Sequence, residues 1–182
     1  VTSPIPLPDG YFNPQAKKQT LYIPADVLTA LREWGEDYCD RLIKIHSIIL
    51  NIQDIIYKYQ QAAGESVFIG PAVKSGIIKM LDKIKEVGRT PYKGSGEMFN
   101  TSVLLPPETV YKIMKISPDK SFSKCLLIAV NVTLNSPQII KDADFLANFL
   151  SQDKEAKTSI KNLVSQYNIM HLPQVNEFSK LL

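Results

Sequence analysis

The chain has 182 residues, 45% of them hydrophobic, with 21 basic and 18 acidic side chains for a net charge of +3. That apolar share argues against disorder of the whole chain and suffices for a sizeable core, most economically in one domain. Arg32, Arg41 and Arg89 are the only arginines, which disfavours nucleic acid as a partner, and the longest apolar run, Cys125 to Val130, is far below the ~20 residues that span a bilayer.

Residues 1–23 carry Pro4, Pro6, Pro8 and Pro14 with Tyr11, Phe12 and Tyr22, a composition that favours an extended arm over a helix or a central strand. The chain opens at Val1 without a charged-then-apolar leader, so a signal peptide is expected to have been removed or never present.

From Pro24 to Ala63 apolar residues recur with a helical period. Leu42, Ile49 and Ile56 fall at heptad position a, Leu31, Tyr38, Ile45, Ile52 and Tyr59 at d, and Trp34, Ile48 and Ile55 at g, with Ile43, Leu50 and Tyr57 widening the stripe at b. So broad a stripe exceeds a two-stranded coiled-coil seam and reads as the central member of a bundle, a helix roughly 60 Å long. Pro24, Asp26 and Gly64 fit its two ends, and Gly35 is the point where it can break.

Ser66 to Ile69 reads as a short link, after which Gly70-Pro71 opens a second amphipathic helix with Val73, Ile77, Met80, Leu81, Ile84 and Val87 on its apolar face and Gly88 as its stop. Residues 88–105 hold three glycines and no helical period, and read as the longest irregular stretch. Proline then punctuates the remainder. Helices are expected near 107–116, 118–134, 137–150, 152–168 and 173–181, with Ser117-Pro118 and Ser136-Pro137 as start signals. The run within 125–134 also suits a buried strand, but its neighbours favour a helix.

Little here carries chemistry. His46 on the polar side of the long helix and His171 between helices are the only histidines, and neither has a triad or metal-ligand context. Glu33, Glu36, Asp37 and Asp40 form a solvated cluster in which Asp37 and Arg41 stand at the i, i+4 distance. Lys93-Gly94-Ser95-Gly96 lacks the rest of a phosphate-loop pattern. Cys39 and Cys125 are either two free thiols or, outside the cell, one disulfide. Asn100-Thr101-Ser102 is a glycosylation acceptor pattern, as is Asn131-Val132-Thr133 in a segment with no room for a glycan.

The strongest functional hint is the basic second helix, with Lys74, Lys79, Lys83 and Lys85 around its apolar stripe and Arg89, Tyr92 and Lys93 just beyond; these seven are the candidate partner- or membrane-contact residues. The fold expected is all-α: an extended arm over 1–23, then a single helical domain over 24–182, a multi-helix bundle around one long central helix at about 24–63. No catalytic residue, cofactor or metal is assigned. The function expected is that of a non-enzymatic α-helical interaction protein, a recognition, effector or structural/assembly subunit whose arm and 88–105 loop contact a protein partner or copies of itself. A secreted, membrane-active, toxin-like protein acting on an anionic membrane surface and a hydrophobic-ligand carrier are the alternatives. The glycosylation patterns favour an extracellular location, with a cytoplasmic one as the alternative.

Overall fold

The structure, a computed structural model, describes residues 17–63, 71–94, 96–149 and 154–170. In chain order they form β1 (Lys17–Pro24), α1 (Ala25–Trp34), α2 (Glu36–Ala63), α3 (Pro71–Val87), β2 (Met98–Leu105), α4 (Pro107–Met114), α5 (Phe122–Phe149) and α6 (Lys154–Asn168). The described residues are thus mostly helical, with one small sheet. Most of the proline-rich arm, the Gly64 stop, the 66–69 link, His171 and the helix expected over 173–181 lie outside the described residues. The chain divides into two compact units, the first holding described residues 17–43 and 91–130, the second 44–90 and 131–170.

The helix expected from 24 to 63 is two helices. Gly35 adopts φ 56° and ψ −131°, a conformation that side chains with a Cβ avoid, and its N–H closes α1 on the Leu31 carbonyl at 2.7 Å. In α2, Tyr38, Leu42, Ile45, Ile49, Ile52 and Ile56 are each at most 2% exposed, so the a and d positions do form the buried stripe. The stripe is narrower than expected, because Leu50 and Tyr57 at b are exposed and Ile43 is half-buried.

In the first unit, the end of the arm is a strand. β1 pairs antiparallel with β2, Lys17 opposite Leu105 and Pro24 opposite Met98. Leu21, Ile23 and Leu105 point into the core while Lys18, Thr20, Tyr22, Asn100, Ser102 and Leu104 face water, the period of two that a strand with one wet face requires. The stretch expected to be irregular over 88–105 therefore becomes regular from Met98 onward. The Tyr22 N–H donates to Ser123 Oγ at 3.0 Å, anchoring β1 to the start of α5. Ahead of β2, the Tyr92 N–H donates to the Leu127 carbonyl and the Tyr92 hydroxyl to Asp26 Oδ2. Gly94, at φ 61°, passes so close that a Cβ would lie 2.5 Å from the Pro24 Cβ. The residues from Cys125 to Val130 are buried on every side, which settles this run as a fully enclosed stretch of helix.

In the second unit, Ile77, Met80, Ile84 and Val87 of α3, Ile139, Ile140, Ala143 and Ala147 of α5, and Ile160 and Val164 of α6 are buried. The two helices expected over 118–134 and 137–150 are one, and Pro137 lies inside it. Proline leaves the Thr133 carbonyl without its i+4 amide. The neighbouring Ser136 hydroxyl supplies the missing donor, bonding to the Thr133 oxygen at 2.6 Å. With that hydrogen committed, the Tyr167 hydroxyl of α6, 3.0 Å away, is the donor to Ser136 Oγ. The Ser-Pro pair, read as a helix start, is a mid-helix repair. Lys161 and Asp144, 2.6 Å apart, add an ion pair between α6 and α5.

Candidate functional site

The second unit holds a groove of about 670 Å³ between α3 and α5. Its α3 wall is built from Ala72, Val73, Gly76, Lys79, Met80 and Lys83, residues spaced to share one helical face. The α5 wall is built from Gln138, Asp142, Phe145, Leu146 and Phe149, again one face. Both walls cover three turns, about 16 Å at the helical rise per residue. Met80 and Leu146, each 7% exposed, form the floor. Phe145 and Phe149 form the lip, 65% and 51% exposed, with ring centroids 5.0 Å apart and planes at 60°. Tilted ring pairs of this kind are attractive in their own right.

Charge is distributed unequally over the two walls. Lys79 and Lys83 are exposed one turn apart on α3, and no carboxylate among the described residues forms an ion pair with either. Across the groove, the Asp142 carboxylate accepts a 2.8 Å hydrogen bond from Gln138 Nε2. One side is basic and the other weakly acidic, above an apolar floor.

Of the contact candidates read from the sequence, Lys79 and Lys83 stand at this groove. Lys74 is exposed on α3, and Lys85 lines a smaller hollow of about 200 Å³ between α3 and α2, beside Asp54 and Tyr57. Arg89 is exposed and its Nε–H donates to the Lys85 carbonyl at 3.3 Å, closing the end of α3. Tyr92 and Lys93 belong to the first unit. Tyr92 is only 6% exposed, and its hydroxyl is pushed well above its usual pKa by burial, with the Asp26 hydrogen bond and charge adding to the effect. Lys93 is exposed, and Asn100 lies on the outward face of β2.

The remaining candidates have local explanations. Cys39 and Cys125 are both free and buried, the first of the two alternatives. Burial, then Asp40 and Glu36, push the Cys39 thiol up to about 12, and the Cys125 thiol, raised by burial, donates to the Ser117 carbonyl at 3.2 Å. Thiols so held are poor nucleophiles. His46 is half-buried rather than exposed, and burial lowers its pKa. The Asn131 side-chain amide donates to the Val87 carbonyl at 3.1 Å, on the nitrogen that a glycan would need. Asp37 and Arg41 do pair, at 3.0 Å. Among the described residues no group of three or more His, Cys, Asp or Glu is placed to hold a metal ion, and no helix is long and apolar enough to cross a membrane.

Phe145, Phe149, Asp142 and Gln138 are absent from the reading of the sequence. Spacing groups them on one face of α5, and packing shows that this face is not the buried one. Ile139, Ile140, Ala143 and Ala147 already supply α5 with one buried face, and the two phenylalanines fall roughly 100° or more away from it, at i and i+4 on a second face that also holds Asp142 and Gln138. No family model, curated protein or solved structure matches the chain.

Proposed function

We propose that this is a non-enzymatic α-helical interaction protein and that the α3/α5 groove is a surface through which it contacts a protein partner. The observation that carries the reading is the pair of exposed phenylalanines on the lip of an apolar groove. A phenylalanine side chain gains about 1.5–3 kcal/mol between full exposure and full burial, and a partner covering this lip would recover the share that Phe145 and Phe149, 65% and 51% exposed, still leave in water. Aromatic anchors beside a polar rim are the usual core of a contact surface.

The test is a native size measurement on protein from its source, comparing the parent chain with a Phe145→Ser/Phe149→Ser variant. The parent is expected in a complex with protein that the variant loses while keeping its helical spectrum. A strict monomer, or a complex indifferent to both changes, overturns the reading. The volume of the groove supports a second reading as a hydrophobic-ligand carrier, because cavities of about 300–1,000 Å³ suit small ligands. Co-purified lipid seen by native mass spectrometry, lost in the same variant, would put that reading first.

A further inference from the structure

The shape and charge of the groove specify its partner more narrowly. This step rests on the reading of the groove as a protein contact surface. We infer that the occupant is an amphipathic helix of about three turns, with apolar anchors at i, i+4 and i+7 and carboxylates along the flank that meets Lys79 and Lys83.

Two helical walls of equal length, each about 16 Å, bound a slot in which a third helix can seat its ridge of side chains. The apolar floor of Met80 and Leu146 receives its anchors, and Gly76 opens the α3 wall midway, since a Cβ built there meets nothing within 4 Å. A single acyl chain fits this slot less well. Small apolar ligands normally bury about 70–90% of their surface, whereas a groove open along one side would leave part of a bound chain in water. A helix needs to cover only one of its faces. Charge complementarity then fixes its orientation, with carboxylates one turn apart opposite Lys79 and Lys83, and neutral or basic residues opposite Asp142.

The experiment measures fluorescence anisotropy of two synthetic peptides against the full chain at low salt. Both are about 14 residues long, enough for the three turns with capped ends, and share the same apolar anchors, but one carries glutamates and the other lysines on the flank. The glutamate peptide is expected to bind about tenfold more tightly, the combined effect of two exposed attractions replaced by two repulsions. Lys79→Glu/Lys83→Glu should invert that preference, and Gly76→Leu should weaken both peptides about tenfold by filling the slot. These positions are exposed, so folding is checked by circular dichroism and expected to be unchanged. Equal affinities, or a preference that survives the double charge reversal, overturn the inference. If neither peptide binds while complexes from the source still depend on Phe145 and Phe149, the inference falls and the contact reading stands; if those complexes do not depend on them, both fall. Binding of hexadecanoate or phosphatidylglycerol vesicles that Gly76→Leu blocks, without peptide binding, overturns it in favour of a lipid.

Discussion

The surroundings of Tyr92 in the first unit and the α3/α5 groove in the second use their polar and aromatic side chains differently. In the first, Tyr92 is buried with its hydroxyl on Asp26, Gly94 is pressed against Pro24, and Ser123 holds the edge of β1. In the second, Phe145 and Phe149 stand in water and Lys79 and Lys83 have no ion-pair partner among the described residues. The first unit also exposes Tyr22, Phe99, Leu104 and Tyr111, but the second gathers Phe145, Phe149, Lys79 and Lys83 around one apolar groove, and the proposed contact surface rests on that grouping.

This contrast predicts where substitutions hurt. The largest effect is expected at Gly94→Val, which forces a Cβ into Pro24 and a branched side chain to a positive φ, for a loss of about 3 kcal/mol in urea unfolding. A loss below about 1 kcal/mol would show that the first unit is looser than described. Next is Ser136→Ala, which removes the buried bond to the Thr133 carbonyl and the contact with the Tyr167 hydroxyl, and should cost about 2 kcal/mol. In a Pro137→Ala background the restored amide serves that carbonyl, so the same change should cost clearly less; an equal cost in both backgrounds would remove the repair from the account.

Tyr92→Phe and Phe145→Ser compare the units directly. The first deletes a buried donor to a carboxylate and should cost about 1.5 kcal/mol, while the second should stay within about 0.5 kcal/mol. A reversed order would contradict the contrast between Tyr92, held by Asp26, and Phe145, exposed on the lip. Gly76→Ala should stabilise the chain by about 0.5–1 kcal/mol, because it sits in a helix with open space at its Cβ. The smallest effect concerns His46. Burial lowers its folded pKa below 6.5, so the unfolded chain takes up the proton first and stability declines as pH falls from the unfolded pKa through the folded one. His46→Gln should flatten that part of the stability curve, and an unchanged slope would assign it to other groups.

Local patterns were legible where one element creates its own signal. The stripe from Tyr38 to Ile56, the α3 face from Ile77 to Val87 and the Asp37–Arg41 pair follow from helical spacing alone. Some local cues misled, among them Ser117-Pro118, since α5 begins only at Phe122. Gly35 ends a helix inside an uninterrupted apolar period, because backbone freedom outweighed the pattern, and Ser136-Pro137, a good helix start by composition, was overruled by a hydrogen bond from within α5 and one from Tyr167.

By itself, then, the sequence determined a mostly helical chain with an apolar face on each long helix and a basic rim on α3, since those properties depend on residues three or four apart. Only the tertiary structure decided that Lys17–Pro24 and Met98–Leu105 pair as strands, since their partners lie some eighty residues apart and neither strand is stable alone. It also decided which apolar residues were left over. Ile139 and Phe145 have equal claim to a core when read as letters, but only packing shows that Ile139 is covered and Phe145 is not. The candidate site consists of that remainder, a surface left when the core is full, and no spacing rule within one helix can count what the other helices have already buried.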